Sequence, residues 1–163
     1  MNRLLAAGLT VTAIVWAVLI VVAPVALHSA AAPATPAAAV LYVASSRICH
    51  QRPERSFEIA GFQMPVCARC SGLYLSAAAG TLLAWRKRAG RAELPPRRWS
   101  APALIAAALP TMITFGLEIA GLMAFSNVAR AIAALPLGAV AGWLFVRMLR
   151  YDSRLDAIKN ADN

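Results

Sequence analysis

Long, unbroken apolar blocks dominate the chain, rather than the alternating or 3.6-residue patterns of soluble strands and helices. The first block runs from Leu4 to Leu27 without a charge. As a helix rising about 1.5 Å per residue, its 24 residues reach about 36 Å, more than the hydrocarbon core of about 30 Å. The rival reading is a cleaved signal peptide starting at Arg3 and ending at His28-Ser29-Ala30. Signal cores run to only about 7–15 residues, so the block reads as a membrane anchor. Ala30 to Ala39, with Pro33 and Pro36, predicts an extended linker, and Val40 to Ile48 a short interfacial helix.

A second block, Val66 to Trp85, is long enough to span only if it includes the cysteines at its start. Cys67 and Cys70 are therefore expected in the first turn of a helix, at the interface. Gly72, Ser76 and Gly80 recur every four residues and form a small-residue stripe that admits another helix closely. Arg86 to Arg98 reads as a basic loop. The third block, Ala101 to Met123, holds Pro110, where a kink is expected, and a single acid, Glu118. A turn at Ser126-Asn127 leads to the fourth, Val128 to Val146, with Arg130 near its start and a second stripe of Ala134, Gly138 and Gly142. The polar tail from Arg147 is expected to fray. The pattern thus predicts an all-α integral membrane protein with one membrane domain. Its four transmembrane helices lie at about 4–27, 66–85, 101–123 and 128–147, and a Cys/His loop over 45–70 carries a small β-hairpin.

Composition agrees. The chain is 60% hydrophobic and 14% charged, against about 45–50% and 25% for soluble domains, and its mean hydropathy is +0.63. The net charge of +9 would suggest nucleic acid in a soluble protein. Here the basic residues cluster at the ends of apolar blocks and no aromatic-interleaved groove exists, so nucleic-acid binding is set aside. The charge instead reports topology. With the N-terminus inside, the inner segments hold 11 Lys and Arg, namely Arg3, the six of the basic loop, Arg147, Arg150, Arg154 and Lys159. The outer segments hold five, Arg47, Arg52, Arg55, Arg69 and Arg130. The bias predicts both termini in the cytoplasm of a bacterial plasma membrane, with the Cys/His segment on the outer face. The expected partners are the lipid bilayer and a membrane protein or a second copy of the chain.

Chemistry concentrates between residues 49 and 70. Cys67-Ala68-Arg69-Cys70 is a C-x-x-C, and Cys49-His50 precedes it by 17 residues. Ser56 to Ile59 and Phe62 to Met64 alternate around Ala60-Gly61, which suits a tight hairpin that returns Cys49 and His50 towards the C-x-x-C. Thiolates and imidazole suit zinc in a tetrahedral site of Cys49, His50, Cys67 and Cys70. A helix N-terminus and Arg69 both favour the thiolate form of Cys67 and Cys70. Adjacent Cys49 and His50 do not match the usual spaced ligand pair, so a site of three cysteines completed by His50 or water stands beside the four-ligand one. A redox pair passing electrons to a quinone, with no metal cofactor, is the second reading, although Cys49 then has no mate. A structural disulfide or incidental thiols form the third. His50 and Glu118 are the catalytic candidates, as bases of a metal-dependent membrane hydrolase. Glu118 and Arg130 fall on the same side of the membrane as the cysteines and can pair, with Asn127 at the adjacent turn. Glu54, Arg55 and Arg69 are further polar candidates, and Arg52 crowds the same loop.

These residues also resemble a known family. Cys49-His50-Gln51, Pro53 to Phe57, Gly61, Gln63, Pro65-x-Cys67-x-Arg69-Cys70 and Gly72-x-Tyr74 are similar to the family of prokaryotic membrane proteins catalogued as domain of unknown function 2085. Glu118, Gly121, Ser126-Asn127 and Arg130 extend the similarity, which covers roughly residues 48–142. The resemblance implies a multi-pass helical membrane protein with Cys49, His50, Glu54, Arg55, Cys67, Arg69 and Cys70 as signature positions. It implies no activity.

Overall fold

The computed structural model describes residues 2–28, 34–86 and 97–161. In chain order the elements are α1 (Asn2–His28), α2 (Ala34–Ser46), a 3-10 turn (Pro53–Arg55), β1 (Ser56–Ile59), β2 (Phe62–Cys67), α3 (Ala68–Leu83), α4 (Arg97–Ile119) and α5 (Asn127–Ala161). Most of the basic loop lies outside the described residues.

Helices α1, α3, α4 and α5 form the bundle. Trp85 Nε1 donates to Thr10 Oγ1 at 2.9 Å, and Ala6 clusters with Ala84 and Val146. At the other end Ile20 clusters with Cys49, Met64 and Val66. Helix α1 therefore rises towards the cysteines and α3 descends from them. Helices α3 and α5 form the tightest pair and run parallel. Their two small-residue stripes face each other. A Cβ on Gly72 would stand 2.2 Å from the Ala131 carbonyl oxygen, and one on Gly138 2.2 Å from that of Leu73. Only glycine lets the backbones approach so closely.

Burial is inverted relative to a protein in water. The buried hydrophobic residues are mainly alanines, while Leu4, Val15, Ile105, Met112 and Phe145 face outward. Water would penalise such a surface, whereas hydrocarbon accommodates it. Among the described residues three helical segments are long and apolar enough to cross a membrane: Arg3–His28, Ser100–Ile119 and Asn127–Arg150. The expected fourth, in α3, has 16 residues, about 24 Å of helix, because Val66 and Cys67 are drawn into strand β2 and Ala84 and Trp85 fall in the turn that ends it.

Two other expectations are corrected. Residues 34–39 belong to α2 rather than to an extended linker. Pro36 falls in the first turn of that helix, where its missing N–H removes no intrahelical bond, and the alanines after it favour helix. Residues 29–33 lie outside the described residues. The tail does not fray after Arg147, since α5 continues to Ala161 through a stretch with no glycine or proline to stop it. Helix α4 contains Pro110 within its length.

Candidate metal centre and arginine pocket

The hairpin forms where alternation predicts it. Strands β1 and β2 pair antiparallel, with Glu58 opposite Gln63, Ile59 opposite Phe62 and Ser56 opposite Cys67. The two turn residues both take positive φ, 55° at Ala60 and 80° at Gly61, as a tight two-residue hairpin of strand-matched twist requires.

Two glutamines position Cys49 against this hairpin. Gln51 adopts a left-handed conformation with φ 47°. Its side-chain amide donates to the carbonyls of Tyr42 and Pro65, both at 2.8 Å. Gln63 Nε2 donates back to the Gln51 carbonyl at 2.6 Å. The Tyr42 hydroxyl donates to the Gln63 carbonyl. The segment before the 3-10 turn is thus pinned to β2. Gln51 belongs to the Cys-His-Gln motif, yet its type gave no sign of this framing role; the signal was its position beside Cys49-His50.

The result is convergence of three sulfurs. The Sγ atoms of Cys49, Cys67 and Cys70 all lie within 4.8 Å of one another, and none is in a disulfide. Cys67 caps α3 in extended conformation, and its backbone N–H donates to Cys49 Sγ at 3.1 Å. Its thiol is held well below the ordinary range, at about 5, chiefly by the hydrogen bond with the Cys70 thiol and against the opposing effect of burial. Zinc–sulfur bonds of about 2.3 Å place tetrahedral sulfurs about 3.8 Å apart, so small side-chain adjustments bring these three onto one ion. The donor set is soft and fits a thiophilic metal. His50 is exposed and lines the adjoining pocket beside Cys49, Cys67 and Cys70, so the compact group consists of the thiols.

A second centre lies on the opposite wall. The Glu118 carboxylate, 4% exposed, accepts from Arg130 Nε at 2.7 Å and from Arg69 Nη2 at 3.0 Å. Arg130 also donates to Asn127 Oδ1 at 2.7 Å, and Asn127 Nδ2 donates to the Ser56 carbonyl at 2.9 Å. One carboxylate therefore joins α3, α4 and α5, and Asn127 extends the network to the hairpin. Composition and spacing pointed to Glu118 and Arg130. Arg69 as the second partner was missed, because that contact depends on how α3 is rotated towards α4. Its guanidinium also lies 5.2 Å from the centre of the Phe115 ring.

Between the centres a cavity of about 390 Å³ is lined by the three cysteines, His50 and four arginines, Arg52, Arg55, Arg69 and Arg130. Ile48, Phe115 and Ile119 form its apolar side. Glu54, an expected site residue, is exposed and pairs loosely with Arg52 at 4.0 Å. His28 lies at the end of α1 with its ring 6.4 Å from that of Phe62 in the hairpin.

Comparison with known proteins agrees with the resemblance read from the motifs. Residues 49–144 match the model of a family described as predicted membrane protein, domain of unknown function 2085. An uncharacterized protein of Methanothermobacter thermautotrophicus is 36% identical over 94 residues, covering 56% of this chain and 78% of its own. Another, from Methanocaldococcus jannaschii, is 36% identical over 107 residues, covering 65% of this chain and 64% of its own. No solved structure matches. The matched region takes in the hairpin, all three thiols, α3, α4 and the first half of α5, and the chain belongs to this family of predicted membrane proteins.

Proposed function

We propose that this is a four-pass membrane protein that holds a zinc ion through Cys49, Cys67 and Cys70 at the extracytoplasmic interface of the plasma membrane. The observation that carries this reading is the approach of three sulfurs, from a loop, a strand end and a helix, to within 4.8 Å. His50 or a water supplies the fourth ligand. An ion held by three protein ligands keeps a position for polarising a water or a substrate. The fourth crossing is α3. Its support is that the chain passes from the cysteines to Trp85, which meets Thr10 near the start of α1. Both termini then lie on one side, and the excess of Lys and Arg away from the cysteines puts that side in the cytoplasm.

Elemental analysis of purified protein, combined with thiol titration with and without chelator, tests the assignment. One zinc per chain and three thiols exposed only after chelation are expected, with the zinc lost in Cys67→Ser. Metal-free protein in which one oxidation removes two thiols reversibly would instead support a thiol–disulfide oxidoreductase using Cys67 and Cys70. The low-lying Cys67 thiol serves that second reading as well as the first.

A further inference from the structure

The cavity holds more positive charge than the ion pairs described use. Glu118 binds one oxygen each to Arg69 and Arg130. Arg69 Nε is buried without an acceptor. The Arg52 pair with Glu54 is long and exposed on both sides. Among the described residues no carboxylate pairs with Arg55. Guanidinium forks present donors matched to carboxylate or phosphate oxygens. The N-termini of α3 and α5, at Ala68 and Asn127, both lie at this end of the bundle and add positive potential.

The far side of the cavity has the opposite character. Ile48 is 56% and Ile119 70% exposed, and the Phe115 ring lies against the Arg69 guanidinium. Ile119 ends a candidate span, Ser100–Ile119, so this side opens at the depth where headgroups meet acyl chains. A ligand that fits both walls has an anionic head and an apolar tail. A volume of about 390 Å³ exceeds the need of a lone carboxylate and falls within the range of small-molecule sites, about 300–1,000 Å³.

We infer that this cavity binds a ligand with a net-anionic phosphate head, its phosphate oxygens held by Arg52, Arg55 and Arg69 and any acyl chains leaving past Ile48 and Ile119. The inference goes beyond the metal assignment and stands without it, since the guanidiniums line the cavity independently of what the thiols hold. A membrane lipid headgroup and a free phosphate ester share this chemistry.

The full chain in neutral detergent is titrated with dihexanoyl phosphatidic acid, dihexanoyl phosphatidylcholine, glycerol phosphate and inorganic phosphate, with heat as the readout. Saturable binding of phosphatidic acid at one site per chain is expected, weakened about tenfold or more in Arg55→Gln and in Arg52→Gln, the scale of one charge-assisted hydrogen bond. Unchanged thermal midpoints show that both variants fold. Tighter binding of phosphatidic acid than of glycerol phosphate identifies a lipid ligand. Equal affinity for glycerol phosphate or inorganic phosphate identifies a soluble one, and either result supports the inference. Three results overturn it: no saturable binding of any phosphate, equal affinity for zwitterionic phosphatidylcholine, or binding unchanged in both folded variants. Zinc content is measured on the same samples, so a missing metal and a missing phosphate site are read separately.

Discussion

Gly80→Ala tests the α3–α5 contact that fixes the bundle. The added Cβ would stand 2.1 Å from the Ala139 carbonyl oxygen, 2.9 Å from its carbon and 3.0 Å from its Cα. Cβ atoms do not approach heavy atoms within 3.0 Å, so the oxygen contact alone demands a shift of 0.9 Å. The obstacle is backbone, which no rotamer change relieves. Along the same stripe a Cβ added to Gly72, Gly138 or Gly142 would stand 2.2, 2.2 or 2.3 Å from a carbonyl oxygen, so the backbones are equally close there and separation at Gly80 opens neighbouring contacts as well. A gap of about 0.5–1 Å already forfeits a quarter to a half of the dispersion energy between facing atoms. The expected loss is about 1–3 kcal/mol, the usual cost of overpacking. Gly116→Ala on α4 is the control, since its Cβ would meet nothing within 4 Å. Unfolding of both variants in mixed micelles of neutral and denaturing detergent measures the difference. If Gly80→Ala matches Gly116→Ala in midpoint, the two helices do not touch through this stripe and the packing argument is wrong.

Glu118→Gln leaves two guanidiniums without their buried counter-charge. It should destabilise the protein by roughly 3–5 kcal/mol in the same assay, with Glu118→Asp intermediate. Ala60→Gly should stabilise by about 1 kcal/mol, because Ala60 holds a left-handed φ of 55° that glycine adopts without penalty; a lower thermal midpoint would refute the turn geometry. Asn127→Ala breaks the contacts to Arg130 and to the Ser56 carbonyl, and a loss of about 1–2 kcal/mol is expected by denaturation. Gln51→Leu removes both donors that pin the Cys49 segment to Tyr42 and Pro65. Alkylation of Cys49 in metal-free protein should then quicken, while wild type keeps it slow.

What was legible in the sequence followed from local rules. Alternation around Ala60-Gly61 gave the hairpin, and the hairpin returned Cys49 to the C-x-x-C. The four-residue spacing of small residues on α3 and α5 gave two stripes, although nothing in the spacing said that they would face each other. The rest depended on tertiary context. Helix α3 looked like a span of ordinary length because Val66 and Cys67 are apolar, yet both belong to β2. Its Ser71, Ser76 and Thr81 are buried; Ser76 and Thr81 donate to carbonyls of their own helix, and Ser71 to that of Cys67, which caps it. Arg69 and Glu118 are 49 residues apart, and no periodicity links α3 to α4. Proline misled at position 36, where its place in a first turn outweighed its reputation as a breaker.

The sheltering of α3 also bears on how the protein is made. The shortest of the four bundle helices carries Cys70, follows directly on Cys67, and has its small-residue face closed by α5, which leaves the ribosome well after it. Arg130, which shares Glu118 with Arg69, arrives with that same helix. A nascent chain halted before residue 127 would hold all three sulfurs and the complete hairpin while lacking the partner against which α3 rests. Maturation of the site therefore awaits integration of α5, so a chain truncated before residue 127 should fail to form it although every cysteine remains.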